Sequence, residues 1–188
     1  MQKKEPAKSG ALALPEAMST TRGAGRLEVR LGSWDELGEE ARRIRVEVFV
    51  AEQRVPLELE FDALDALCVH ALASQPGGAV VGTARLLPDG HIGRVAVTRQ
   101  ARGQGVGGVL LLRLMAAARQ RGHREVELLA QASAQPFYER FGFIVVGPQF
   151  DDAGIPHVPM RAILQGVSAD GPSCDSPIRP GSELHRRS

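Results

Sequence analysis

The sequence predicts an α+β domain built on a mixed sheet. Three observations point there: antiparallel strand and turn signals in the first half, alternating strand and helix patterns in the second, and a glycine-rich turn that opens the longest apolar helix. With 188 residues the chain holds one domain plus tails and not two full domains. Apolar residues at 43% against 24% charged residues are enough to close a core.

Residues 26–31 alternate polar and apolar, the pattern of a half-buried strand. Ser33 is placed to cap a helix that begins near Trp34 and carries Ile44, Val48 and Phe49 before Pro56 halts it. Residues 67–72 and 79–87 read as two strands joined by Gln75, Pro76, Gly77 and Gly78, a hairpin signal. Pro88, Asp89 and Gly90 make the next tight turn, and residues 91–97 return as a third antiparallel strand. A helix over 105–121 follows, then a strand at 125–130, a helix near 134–141, and strands around 143–146 and 157–163. Together these predict one mixed α+β sheet. Residues 1–25 and 166–188 lack sustained periodicity and are rich in Gly, Pro, Ser or charge, so they are expected as disordered tails around a domain of residues 26–165. Translation starting at Met18 in place of Met1 is left open.

The overall charge of +1 argues against nucleic acid or a membrane surface held by bulk charge. Cys68 and Cys174 cannot build a disulfide framework or a cysteine-rich zinc site, so no metal is expected. The near-apolar run 106–118 is broken by Arg113 and falls short of the roughly 20 residues a membrane span needs. No secretory signal is read, and the expected compartment is the cytoplasm.

The most informative stretch is Arg102, Gly103, Gln104, Gly105, Val106, Gly107 and Gly108. Glycines at a helix start let backbone N–H groups face a ligand, and the helix dipole favours an anion there. From His91 through Arg124 there is no Asp or Glu, while Arg94, Arg99, Arg102 and four further arginines fall inside. That suits a multiply phosphorylated ligand. The same glycines would equally serve close packing of the helix on the sheet. A dinucleotide fingerprint is disfavoured because residues 98–102 separate the strand end from the first glycine, and no Lys-Ser or Lys-Thr follows as in a P-loop.

Arg102-x-x-Gly105-x-Gly107, set five residues after Val95, Ala96 and Val97, resembles the acyl-CoA signature of the GNAT superfamily of N-acetyltransferases. Residues 135–143, with Phe137, Tyr138, Gly142 and Phe143, resemble its second landmark. The stretch from Arg45 to Gln53, then Pro56, Asp62, Asp65, His70 and residues 154–160, looks like the ElaA-like branch. The resemblance implies the GNAT-like acyl-CoA N-acyltransferase fold, a mostly antiparallel twisted sheet splayed at its central strands and flanked by helices. It also implies acetyl-CoA as co-substrate and direct acetyl transfer to an amine of a small molecule or peptide, and it admits a homodimer. Backbone groups of Val95, Ala96 and Val97 would meet the pantetheine and polarise the thioester. Residues 102–108 would hold the pyrophosphate: Arg102 as cation, with Gly103, Gln104, Gly105, Val106, Gly107 and Gly108 supplying the cradle.

Tyr138, the only tyrosine, is by motif position the expected general acid at the leaving sulfur; its plain alternative is packing with Phe137 and Phe141. For the general base, Glu52 and His70 lie in stretches matching the branch and are placed ahead of His157. The acids Glu58, Glu60, Asp62 and Asp65 either attract a cationic amine on the acceptor side or form an ordinary solvated loop. A GNAT-fold acyl-CoA sensor without turnover remains the alternative to an enzyme.

Overall fold

The computed structural model describes residues 27–152 and 154–164. The two expected tails lie outside the described residues. The chain opens with β1 (Glu28–Gly32). Ser33 then caps α1 (Trp34–Arg45): its Oγ accepts from the Glu36 amide while the Glu36 carboxylate accepts from the Ser33 amide at 2.7 Å, a closed capping box. The helix does not end at Arg45. It widens into a π-helical stretch, Val46–Glu52, and stops where Arg54 turns to φ 66° ahead of Pro56. α1 buries Leu37, Ala41 and Ile44 against Leu72, Val80 and Ala96.

A short α2 (Leu57–Glu60) and a 3-10 turn (Ala63–Leu67) follow. Then comes the expected meander, β2 (Val69–Ser74), β3 (Val80–Leu86) and β4 (Ile92–Val97). β2 and β3 are buried along their whole length because α1 covers one face of the sheet and α3 (Val106–Gln120) the other. α3 contributes Leu110, Leu111 and Leu114, each sealed from solvent and each worth about 1.5–3 kcal/mol on burial. The second half supplies β5 (Glu125–Gln131), α4 (Gln135–Glu139), β6 (Ile144–Val145), β7 (Phe150–Asp152) and β8 (Ile155–Ile163). No helix among the described residues is long and apolar enough to cross a membrane.

The residue pattern alone reads as one mixed sheet; the described strands form two antiparallel four-stranded sheets, parted at the central strands as the splayed fold implied by the resemblance has them. One runs β1-β2-β3-β4; the other is centred on β8, with β5 along one edge and β6 and β7 along the opposite edge. They meet through one parallel bridge, His91 to Glu127, beyond which β4 and β5 part. β4 also carries a bulge. Thr83 pairs with Ala96 but Arg85 pairs with Gly93, so Arg94 and Val95 face one residue of β3, and Arg94 takes φ 52°. Two differences from expectation complete the picture. The helix near 134–141 shrinks to α4 behind a 3-10 turn (Ala132–Ala134), and β7 was not foreseen.

Candidate active site

Where β4 and β5 separate, the molecule holds a cavity of about 360 Å³. Val95 and Arg94 line it from β4, Leu128 and Gln131 from β5, Tyr138 from α4 and His157 from β8. The left-handed turn at Arg94 costs on the order of 1–3 kcal/mol and is held from outside: Arg94 Nε donates to the Glu60 carbonyl at 3.2 Å, and its guanidinium lies 3.4 Å from the Glu60 carboxylate. The bulge takes Val95 out of regular pairing beside the cavity, where a strand-like ligand would find backbone partners. Ala96 itself is buried, and the Val97 carbonyl accepts from Arg102 Nε at 3.1 Å.

Past the end of β4, a 3-10 turn (Arg99–Ala101) leads into the glycine turn. Gly103 sits at φ 76° and Gly105, the residue preceding α3, at φ 81°, the left-handed region that glycine enters without steric cost. No side chain caps α3, so its first amides point outward at the positive end of the helix dipole. Gly107 and Gly108 have a different reason to lack side chains. A Cβ on Gly108 would meet the Phe141 ring at 2.7 Å, and one on Gly107 the Phe137 ring at 3.3 Å. The glycines thus divide by position: Gly103 and Gly105 take left-handed backbone, while Gly107 and Gly108 make room for the Phe137 and Phe141 rings, so the close packing is against aromatic side chains and not against the sheet. Val106 is a core residue, and Gln104 ties the turn down by donating to the Gln100 carbonyl at 2.8 Å and accepting from Gln75.

Tyr138 lines the cavity from α4. It is 9% exposed, its ring set edge-on to Phe137 and Phe143 at 4.9 and 5.9 Å, and burial pushes its phenol up to about 12. It packs with the aromatic cluster and lines the cavity at once. Among the described residues nothing in the protein hydrogen-bonds its hydroxyl.

The two leading base candidates are not brought to this cavity. His70 is 1% exposed in β2, which β3 separates from β4; its Nε2 donates to the Asp65 carbonyl at 2.8 Å and its ring sits 4.8 Å from Trp34. Burial holds its imidazole below the ordinary value. The expectation for His70 is therefore corrected: it is a core histidine. Glu52 ends the π-helical stretch at the surface and takes both guanidinium nitrogens of Arg102 at 2.7 Å, which hold its carboxyl below the usual range. It reaches the glycine turn and does not line the cavity. His157 does line it.

The acidic run is also reassigned. Arg45 Nε donates to Glu60 at 2.6 Å and its Nη1 to Asp65 at 2.7 Å, and Arg85 bridges Asp62 and Asp65 at 2.7–2.8 Å. For Asp65 burial works upward, but the two arginines outweigh it and the carboxyl stays low; for Glu60 burial wins and pushes it up. Three of the four acids thus clamp the α2 segment onto the sheet, and Glu58 is the one of the four without an ion pair among the described residues. Among the polar residues that line the cavity, sequence reasoning gave no cavity role to Arg94, to Asp152, or to the pair Gln53 and Gln131, joined at 2.9 Å. Arg94 stood in the acid-free stretch, the one signal that could have drawn attention to it.

Comparison with known proteins fits this geometry. Residues 38–164 match the model of the acetyltransferase (GNAT) domain. The chain is 39% identical over 126 residues to the uncharacterized N-acetyltransferase YjcF of Bacillus subtilis, covering 65% of this chain and 89% of that protein. The fold superposes on an acyl-CoA N-acyltransferase from Pseudomonas aeruginosa with a TM-score of 0.64 and 36% identity, covering 72% of this chain and 99% of that one. Escherichia coli ElaA superposes equally well, with a TM-score of 0.64 and 32% identity over 72% of this chain and 99% of that one. The chain belongs to the GNAT family of acetyltransferases.

Proposed function

We propose that this acetyltransferase takes its acetyl group from acetyl-CoA and passes it directly to the amine of a small molecule or peptide. One observation carries the reading: the outward amides at the head of α3 and the cavity holding Tyr138 both adjoin the bulged strand β4, one past its end and one along its edge. The amides after Gly103 and Gly105 suit a diphosphate, with Arg99 and Arg102 as nearby cations, and the space beside both glycines is open, with nothing within 4 Å of where a Cβ would stand. The backbone beside the Arg94 bulge suits the amides of the pantetheine arm, and the Val95 amide would polarise the acyl carbonyl. Arg102 must then share its guanidinium between Glu52 and the phosphates.

Tyr138 has a defined part. A phenol near 12 is a weaker acid than an ordinary thiol at about 8.5, so Tyr138 steadies the departing sulfur by donating a hydrogen bond. It yields its proton only as another reaches its oxygen. The test is Tyr138→Phe, read by thiol release and by CoA affinity. Turnover should fall by about 100-fold or more while CoA binds as before; unchanged turnover removes the role. Intact CoA binding without release toward any of a panel of amines would instead mark a sensor.

A further inference from the structure

We infer that His157 is the base that takes the proton from the acceptor amine, and so a catalytic residue; the inference rests on the acetyl-transfer reading above. His157 stands on β8 with Gln131 of β5 opposite it on one side and Phe150 of β7 on the other, and it lines the cavity with Tyr138. The β7–β8 turn that places it is pinned by the Gly154 amide donating to Asp151 Oδ1 at 2.8 Å. Its ring lies near-parallel to Phe150, 29° between planes and 6.2 Å between centres. The decisive contact is Nδ1, 2.8 Å from the Ile155 carbonyl oxygen. A carbonyl oxygen only accepts, so Nδ1 carries a proton, and in the neutral tautomer this selects the lone pair stands on Nε2. Among the described residues Nε2 has no partner.

The remaining charged and titratable groups around the cavity are unsuited to the same task. Glu60 of α2 is committed to Arg45 at 2.6 Å and faces Arg94 at 3.4 Å. Arg94 of β4 is a cation, and Tyr138 of α4 is held protonated by burial. Gln53 and Gln131 bond each other. Asp152 of β7 is exposed at the rim, where its charge favours arrival of an ammonium ion.

The step balances as follows. His157 Nε2 accepts one proton from the ammonium and becomes imidazolium. The freed nitrogen lone pair forms the C–N bond at the acyl carbon, and the C–S bond breaks with its electron pair going to sulfur. The amide nitrogen loses its second proton, which reaches the sulfur through the Tyr138 hydroxyl. The imidazolium then releases its proton to solvent, leaving amide, free thiol and one proton.

His157→Asn keeps an N–H donor for the Ile155 carbonyl while deleting the base. With an alkylamine acceptor at neutral pH, kcat/KM should drop by about 100-fold or more with CoA affinity unchanged. The deficit should narrow as pH rises, and should be small for an arylamine already neutral in the assay. Imidazole should restore part of the activity of His157→Ala. A loss equal for both amines at every pH, or no loss, overturns the assignment and leaves acetyl transfer standing. If the wild-type protein binds CoA but acetylates no amine, both fall together. A reading free of variants is the ring nitrogen shift of His157: the Nδ1-protonated tautomer is expected, and the Nε2-protonated one overturns the proposal.

Discussion

The two regions flanking β4 treat polar groups in opposite ways. Toward α1 and α2, Arg45, Arg85, Glu60 and Asp65 are nearly sealed from water and each charge meets an opposite one within 2.8 Å. Toward β5 and α3, uncapped amides, the Tyr138 hydroxyl and His157 Nε2 are left without partners among the described residues. A buried polar group that is paired builds the structure, whereas one left unpaired beside a cavity is available to a ligand. The charged residues that look most like a catalytic cluster in the sequence are therefore the scaffold, and the chemistry falls to neutral groups and main chain.

That contrast can be broken most forcefully at Asp65. Asp65→Ala leaves Arg45 and Arg85 buried with a shared partner lost, which should cost on the order of 3–5 kcal/mol and lower the melting temperature by roughly 10 °C. The protein still folded at low temperature should bind CoA normally; loss of binding without loss of stability would put the network in the site. The next effect is at Gly108. Gly108→Ala pushes a methyl to 2.7 Å from Phe141 and should destabilise by about 1–3 kcal/mol, with Phe141→Leu restoring much of it in a thermal melt. The smallest is a pH effect. Hydrogen bonds from Arg85 pull the Asp62 carboxyl down to about 2 from an ordinary 3.8. Its contribution is therefore full above about pH 4 and fades as pH falls toward 2; because Asp62 is partly exposed the contribution is small. Asp62→Asn should flatten stability against pH over that acid window, as followed by urea titration.

Much of the architecture was legible because its signals are local. Ser33 and Glu36 announce the start of α1, Pro76-Gly77-Gly78 fixes the β2–β3 hairpin, and the glycine turn marks the head of α3. The parting of β4 from β5 was legible only through the family resemblance, which implies a splayed sheet; the bulge in β4 was not, because its positive-φ residue is Arg94 and not glycine, with no local signature. The acids were visible as charges, but their partners come from 15 to 34 positions away along the chain. The same limit separates His70 from His157: each reads as a histidine in a strand, and only strand order decides which one meets the cavity. Motif spacing singled out Tyr138, which lines the cavity, and the glycine turn, which stands at the head of α3. The division of labour among the glycines was not, because it depends on where Phe137 and Phe141 land.

The central claim is that left-handed glycine backbone at the head of α3 grips a diphosphate. Its most direct test is calorimetric titration of CoA, and of pantetheine lacking the diphosphate, into the wild-type protein and Gly105→Ala. The account predicts that CoA binds the wild type far more tightly than pantetheine, and that the substitution weakens CoA by about tenfold, the cost of about 1–2 kcal/mol for a side chain at left-handed φ, while leaving pantetheine unaffected. Equal affinities for the two ligands, or CoA binding indifferent to Gly105→Ala, would contradict it.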